Sequence, residues 1–289
     1  LVNSKSRRGA DCFNTALAFL VHRDVHVRTA IRTRHVSKLV EAVKAAISEG
    51  EPLIIVGGGD GTINAVAGLF VGSQSRLGVL AMGTGNAFAR DLGIPTDVAK
   101  ACEIALDGDK ASVDLGRIAG GHFVNVATVG LSTRIAQNLT DPMKRRFGRF
   151  VYLAALLRAY RDVQPFHAIL ETENGREEFD SIQIVIGNGR FHAGPFPVLP
   201  DASIREGKVS IYAIEARTKS EFIKFAFFLP GGHHVQLKEV HSQHCKGGKL
   251  TTVPPMPVTV DGQVDMMTPV EFTTIPCGLN VMCAPNFLN

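Results

Sequence analysis

Between His35 and Glu49 the apolar positions Val36, Leu39, Val40, Val43 and Ile47 recur at intervals of three and four residues. That spacing gathers side chains on one face of an α-helix. Gly50 stands where a C-terminal cap belongs, so the pattern predicts a helix that ends there. The periodicity then gives way to a continuous apolar run, Leu53-Ile54-Ile55-Val56, of the kind expected for a strand buried on both faces. This run enters a glycine cluster, and a second helix is predicted from about Ile63. The same series follows again: Leu77 to Ala81 is apolar, Gly83-Thr84-Gly85 turns, and a helical stretch stops near Gly93 and Pro95. Such alternation predicts a parallel sheet covered by helices, in which ligands bind beyond the carboxyl ends of the strands. Both glycine clusters fall at that edge, and Leu1-Val2 reads as the tail of another strand.

After about Asp114 the pattern changes. Phe123 to Val129, Phe166 to Thr172, Ile182 to Ile186, Val209 to Ile214 and Val258 to Asp261 read as strands. Two helices stand out among them, Gly148 to Arg161 and a piece opening on Thr218-Lys219-Ser220-Glu221, which has capping-box spacing. The expected fold class is therefore α/β followed by a mainly β half, and 289 residues suit two domains.

Composition narrows the functional classes. With 45% hydrophobic and 20% charged residues, the chain can bury a core and is not of the disordered type. No stretch approaches the roughly 18 apolar residues that span a bilayer, and Leu1 to Arg8 has no signal-peptide core. The expectation is a protein that does not cross the membrane. Five scattered cysteines fit no disulfide framework and suit a reducing cytoplasm. A net charge of +4 is weaker and less clustered than nucleic-acid binding calls for, whereas anionic phosphates or lipid headgroups remain compatible partners.

The strongest chemical signal is Gly57-Gly58-Gly59-Asp60-Gly61-Thr62, between a buried strand and a helix. Glycines let main-chain N–H groups approach phosphate oxygens, and the following helix contributes the positive end of its dipole. Asp60 offers a hard carboxylate for Mg²⁺. The bland alternative is a glycine turn with an Asp cap. Neither the Gly-Lys-Ser/Thr ending of P-loops nor the dinucleotide spacing is present.

GGGDGT at 57–62 followed by LGVLAMGTGNAFARDLGIP at 77–95 resembles the diacylglycerol kinase catalytic family, which includes bacterial lipid kinases and sphingosine kinases. Asn3-Ser4-Lys5-Ser6, VDLGRI at 113–118, the FVNVATVGLS block from Phe123, IGNGRFHAG from Ile186, PDAS at 200–203 and Val260-Asp261-Gly262 extend the resemblance over nearly the whole chain. It implies a nucleotide-binding α/β domain at 1–116, rejoined by 277–289, and a β-sandwich lipid-substrate domain at 117–276, with ATP and a lipid headgroup held in the cleft between them. The implied activity is ATP- and Mg²⁺-dependent phosphorylation of a hydroxyl on a diacylglycerol-like or sphingoid-like lipid.

Carried over by position, Asn3, Ser4, Lys5, Ser6 and Arg7 would line the nucleotide. So would Gly58, Gly59, Asp60, Gly61, Thr62, Ile63, Asn64 and Ala65, together with Gly83, Thr84 and Asn86 of the second turn; Thr33 is a weaker match. The resemblance points to a metal site at Glu206 with the main chain of Ser203 and Lys208, although the family's usual Asp is here Glu206, and to Asp60 for the metal at the phosphates. The family's Asp-Gly-Glu, which takes the proton of the acceptor hydroxyl, is here Asp261-Gly262-Gln263. An amide cannot accept that proton as a carboxylate does, so Asp261 must act alone or turnover must fall. Ser4 for Pro, Ala65 for Glu, Ala81 for Pro and Ala87 for Asp are further departures that mark a divergent member.

Three other groups carry weaker signals. Lys144, Arg145, Arg146 and Arg149 precede the apolar stretch Val151 to Leu157 and would assist a transient visit to an anionic leaflet, against the simpler reading of a solvated loop before a packed helix. His233, His234, His241, His244 and Cys245 match no common zinc spacing and are expected to form a polar loop. Asn138-Leu139-Thr140 fits a glycosylation acceptor, which matters only in a secreted chain. The expected location is cytoplasmic, peripheral at the inner membrane face, with a homodimer left open. The competing readings are an NAD kinase-type enzyme, which shares a GGDGT loop, and a regulator that kept the fold and lost catalysis.

Overall fold

The computed structural model describes residues 1–5, 9–131, 164–192 and 196–287. The chain divides into two compact units, Leu1–Leu115 with Pro276–Asn289, and Gly116–Ile275.

In the first unit, strands β1 (Val2–Asn3), β2 (Arg32–Thr33), β3 (Leu53–Gly58) and β4 (Arg76–Ala81) lie parallel in the order β2-β1-β3-β4. β3 and β4 run in register from Leu53 opposite Arg76 to Gly58 opposite Ala81. Ile54, Val56, Leu77, Val79 and Leu80 are all buried, which is why these segments read as unbroken apolar runs. Helices α1 (Gly9–His22), α2 (Val36–Ser48), α3 (Asp60–Ala67), α4 (Ala87–Asp91) and α5 (Val98–Asp107) belong to this unit. α2 buries Leu39 and Val43 and ends at Ser48 with Glu49 as its C-cap, followed by Gly50, whose φ of +75° is the left-handed value that favours glycine. α5 is capped by Asp97, whose side chain accepts from the Lys100 N–H. α3 begins at Asp60, inside the glycine cluster, rather than near Ile63; Gly59, in extended conformation, is its N-cap and accepts from the N–H groups of Thr62 and Ile63 at 2.9 and 3.1 Å.

Strand β5 (Asp109–Ile118) leads into the second unit, which contains β6 (Gly121–Phe123), β7 (Val126–Gly130), β8 (Phe166–Thr172), β9 (Gly175–Ser181), β10 (Gln183–Gly187), the short pair β11 (Phe191–His192) and β12 (Phe196–Pro197), β13 (Val209–Ile214), β14 (Val240–Cys245), β15 (Gly247–Val253), β16 (Pro257–Val260) and β17 (Gln263–Met267). The last strand, β18 (Val270–Cys283), starts in this unit and ends in the first, where Val281 pairs in parallel with Leu77 of β4. Within the second unit, β9-β8-β15 and the opening of β18 form one antiparallel sheet and β14-β13-β10-β7-β16-β17 another.

These two sheets are the layers of a β-sandwich. Alternate residues of the second sheet divide between two cores, as the two-residue period of a strand requires. Ile184, Ile186, Ile211 and Ala213 join Phe166, Leu170, Leu250 and Phe272 of the facing sheet. Val185, Tyr212 and Ile214 pack on the opposite side with Phe222 and Phe225 of helix α6 (Lys219–Phe228). Burial on both faces explains the near-continuous apolar runs at 182–186 and 209–214. The stretch read as one strand from Phe123 to Val129 is instead two, β6 and β7, interrupted at Val124 and Asn125.

The capping box at Thr218 and Glu221 is formed as the sequence predicts. The helix predicted at 148–161, the basic group Lys144, Arg145, Arg146 and Arg149, and Asn138-Leu139-Thr140 lie outside the described residues, as do Ser6 and Arg7. No disulfide joins the cysteines. Among the described residues no helix is long and apolar enough to cross a membrane.

Candidate functional site: two apposed glycine turns and an aspartate hairpin

The parallel order β2-β1-β3-β4 brings the carboxyl ends of four strands side by side, and with them Thr33, Asn3, Gly58 and the turn after Ala81. Asn3 is buried and knits this edge: its Nδ2 donates to Thr62 Oγ1 at 2.9 Å and its Oδ1 accepts from the Lys5 N–H at 3.1 Å. The Ser4 N–H donates to the Thr33 carbonyl at 2.7 Å, and the Thr33 hydroxyl accepts from the His35 N–H at 3.1 Å.

The two glycine turns lie against each other. A Cβ on Gly83 would stand 2.7 Å from the Gly59 Cα, and one on Gly59 would stand 3.1 Å from the Gly83 Cα. Only the absence of side chains allows main chain to meet main chain at this distance. The Met82 N–H donates to the Gly58 carbonyl at 2.9 Å. Asn86 closes the second turn from within, accepting from the Gly83 N–H at 2.8 Å and donating to the Gly83 carbonyl at 2.9 Å, with its own φ at +50°.

One side of this structure is open. A Cβ built on Gly61 meets nothing within 4 Å. Gly61, Ala65, Gly83, Thr84 and Lys5 are exposed. Asn64 Oδ1 is buried without a hydrogen-bond partner. Ile63, in contrast, is a core residue at 2% exposure.

Asp60 occupies the first turn of α3. Its Oδ1 accepts from the Phe88 N–H at 3.4 Å, so the carboxylate also serves the start of α4, which has no side-chain cap of its own. Burial raises its pKa, opposed by main-chain hydrogen bonds from Phe88, Ala87, Asn86 and Asp60 itself. The sequence does not announce this second task, since it depends on α3 and α4 starting at the same sheet edge.

In the second unit, Asp261 and Gly262 form the two-residue turn between β16 and β17, with Val260 paired to Gln263. Their φ values are +44° and +90°. A type I′ hairpin needs positive φ at both central positions, and Asp-Gly is a favoured pair for it. The Asp261 carboxylate accepts from three consecutive N–H groups, those of Val124, Asn125 and Val126, at 2.9, 3.1 and 2.9 Å. It thus satisfies the main chain where β6 gives way to β7. Gln263 is exposed.

Ser203, Glu206 and Lys208 share the turn that precedes β13, where Glu206 is exposed and Gly207 has φ +64°. Among the described residues no group of three or more His, Cys, Asp or Glu is placed to hold a metal. The histidine-rich segment is not the polar loop expected from sequence. His241, His244 and Cys245 lie on β14, while His234 is fully buried with Nε2 2.9 Å from the Val198 carbonyl. His241 faces Glu215 and His244 faces Asp201, so these two side chains are engaged with different carboxylates, and burial pushes the Cys245 thiol up to about 12.

A family model described as the diacylglycerol kinase catalytic domain matches residues 1–118. Another, described as the YegS C-terminal NAD kinase beta sandwich-like domain, matches residues 125–283. A Klebsiella pneumoniae (strain 342) protein named "Probable lipid kinase YegS-like" is 36% identical over 187 residues, which are 64% of this chain and 62% of that protein. A protein of Mycobacterium tuberculosis (strain ATCC 25618 / H37Rv) named diacylglycerol kinase is 28% identical, with 98% of this chain and 93% of that protein covered. A solved structure described as a diacylglycerol kinase from Bacillus anthracis str. Sterne superposes with a TM-score of 0.72 at 18% identity, covering 95% of this chain and 93% of that one, and so shares the fold. With both domains matched over most of its length, the chain belongs to the diacylglycerol kinase-like family of lipid kinases, with a YegS-type C-terminal domain.

Proposed function

We propose that the chain transfers the γ-phosphoryl group of ATP to a hydroxyl of a lipid of the diacylglycerol or sphingoid kind. The observation that carries this reading is the pair of apposed glycine turns, closed toward each other and open at Gly61 and Thr84. Main-chain N–H groups at the start of α3 and the dipole of that helix suit a polyphosphate. The orphaned Asn64 Oδ1 is an acceptor that a bound nucleotide could satisfy.

Mg²⁺ commonly takes only one or two carboxylates together with substrate phosphates, so a lone Asp60 at the turn fits a metal that arrives with the nucleotide. When bound, the ion supplies charge neutralisation at the β- and γ-phosphates. Ser203, Glu206 and Lys208 are proposed as a second, separate metal turn.

Phosphoryl transfer leans chiefly on positioning and electrostatics, which is compatible with turnover despite Gln263. Asp261, its carboxylate engaged by three N–H groups, is assigned a positioning role at 124–126 rather than that of sole proton acceptor. That engagement, together with Gln263, also favours a second reading: a member that binds nucleotide and lipid but turns over weakly.

Incubation of the purified chain with Mg²⁺, γ-labelled ATP and a panel of diacylglycerol, sphingoid and other lipid alcohols, with NAD as the acceptor in a parallel reaction, tests the proposal, and a labelled phospholipid is the expected product. Label appearing in NADP would replace this reading with an NAD kinase. Bound ATP without any labelled lipid would leave the weakened member standing.

A further inference from the structure

Helix α6 (Lys219–Phe228) carries two large apolar side chains that stand exposed among the described residues. Phe222, Phe225 and Ala226 face the core, and Phe222 and Phe225 pack there with Tyr212 and Leu229. Ile223 and Phe227, four residues apart and so stacked on one face, are 57% and 80% exposed. The Phe227 ring stands edge-on to Phe228, with centroids 5.6 Å apart.

The exposed charges that the helix itself places beside this stripe are basic. At 3.6 residues per turn, Lys219 falls to one side of Ile223–Phe227 and Lys224 to the other, and both are exposed. Arg217, just before the helix, is exposed as well, 3.8 Å from Glu215. The helix's one carboxylate, Glu221, is turned back to accept from the Arg217 and Thr218 N–H groups at 2.8 and 3.1 Å. An apolar ridge between two lysines matches a surface whose outer layer is anionic and whose interior is hydrocarbon.

We infer that α6 is a docking helix for an anionic bilayer surface, with Ile223 and Phe227 entering the headgroup and acyl boundary and Lys219 and Lys224 pairing with lipid phosphates. The inference rests on the lipid-kinase reading for its purpose, since a substrate held in a membrane must be reached there. Its test does not, because docking is read without ATP or turnover.

The chain contains no tryptophan, so Phe227→Trp installs a single reporter at the proposed point of entry. With vesicles of phosphatidylglycerol and phosphatidylcholine, its emission shifts to the blue and is quenched by lipids brominated on the acyl chain. With pure phosphatidylcholine the change is much smaller. In co-sedimentation of otherwise unaltered protein, Phe227→Ser lowers the partition coefficient about tenfold, and Lys219→Gln and Lys224→Gln lower it about fivefold each. Thermal midpoints stay at the unaltered value because all three side chains are exposed. Unchanged Trp emission, or vesicle binding insensitive to Phe227→Ser, overturns the inference. A dimer seen by sedimentation velocity and abolished by Phe227→Ser, without vesicle binding, overturns it too and makes the face a contact between copies of this chain.

Discussion

Two Asp-Gly turns, Asp60-Gly61 in the first unit and Asp261-Gly262 in the second, look alike as sequence and differ in what requires their residues. At the first, Gly59 and Gly83 are demanded by close approach, because backbone lies where a Cβ would be, while Gly61 meets nothing. At the second, nothing crowds Gly262, and the demand comes from positive φ at both turn positions. Each aspartate accepts from main-chain N–H groups, one at the start of α4 and the other at 124–126. A motif's glycine and aspartate therefore have structural work to do before any ligand arrives, and a functional claim must be tested by substitutions that leave that work intact.

The largest effect is expected at Asp261. Asp261→Ala leaves three N–H groups at Val124, Asn125 and Val126 without their acceptor and keeps a β-carbon at φ +44° without the polar side chain that makes the left-handed region tolerable. At about 1–3 kcal/mol for each unsatisfied buried donor, with Val124 and Asn125 buried and Val126 half-buried, the loss is about 3 kcal/mol or more. Chemical denaturation should show it as a fall in the midpoint with little change in slope. A midpoint close to that of the unaltered protein would mean that the carboxylate does not hold this junction.

Gly83→Ala comes next. Its Cβ must displace the Gly59 backbone, at a cost of about 1–3 kcal/mol, and both turns should lose their shape together. Gly61→Ala is the counterpart: with open space around it and a helical position, it should raise stability by about 0.5–1 kcal/mol yet weaken ATP binding, as titration calorimetry would show. If Gly61→Ala binds ATP as tightly as the unaltered chain, the phosphates do not approach this turn.

Asp60→Asn keeps an oxygen for the Phe88 N–H and removes the charge. Burial raises the folded pKa of Asp60 above its ordinary 3.8, so the protonated form is favoured in the folded state. Its stabilising contribution is complete below the unfolded value and is lost as pH rises through the folded one. The stability of Asp60→Asn relative to the unaltered protein should accordingly increase as pH is raised from about 4, and a flat difference would mean that the buried charge carries no penalty.

The legibility of these features in sequence follows the same division. The α2 face, the β3 and β4 runs and the Thr218 capping box were readable because local spacing and burial coincide. The pattern predicts α3 from about Ile63, whereas the helix begins at Asp60; Gly61, a poor helix former, sits in that first turn. The polar strand β9, Gly175–Ser181, buries only Phe179 and Ser181 and gives almost no alternation to detect. The histidines of β14 read as a loop for a related reason, since their partners come from other segments, among them Glu215 and Asp201. The glycine loop was identifiable as a candidate site, but its apposition to Gly83 and the anchoring of Asp261 at 124–126 are contacts between distant segments that local pattern does not contain.

Gln263→Glu should change stability least, by about 0.5 kcal/mol or less, because the position is exposed and its strand partner, Val260, is apolar. That near-neutrality makes it the cleanest probe of chemistry. Asp261 has its carboxylate committed to the main chain, so an added carboxylate two residues away is the simplest way to supply a proton acceptor without disturbing the hairpin. If this position serves the acceptor hydroxyl, kcat should rise while KM for ATP stays put, and the rate should grow with pH as the new carboxylate ionises. An unchanged kcat in a variant that keeps its fold would place the proton's acceptor elsewhere and leave Gln263 as an ordinary strand residue.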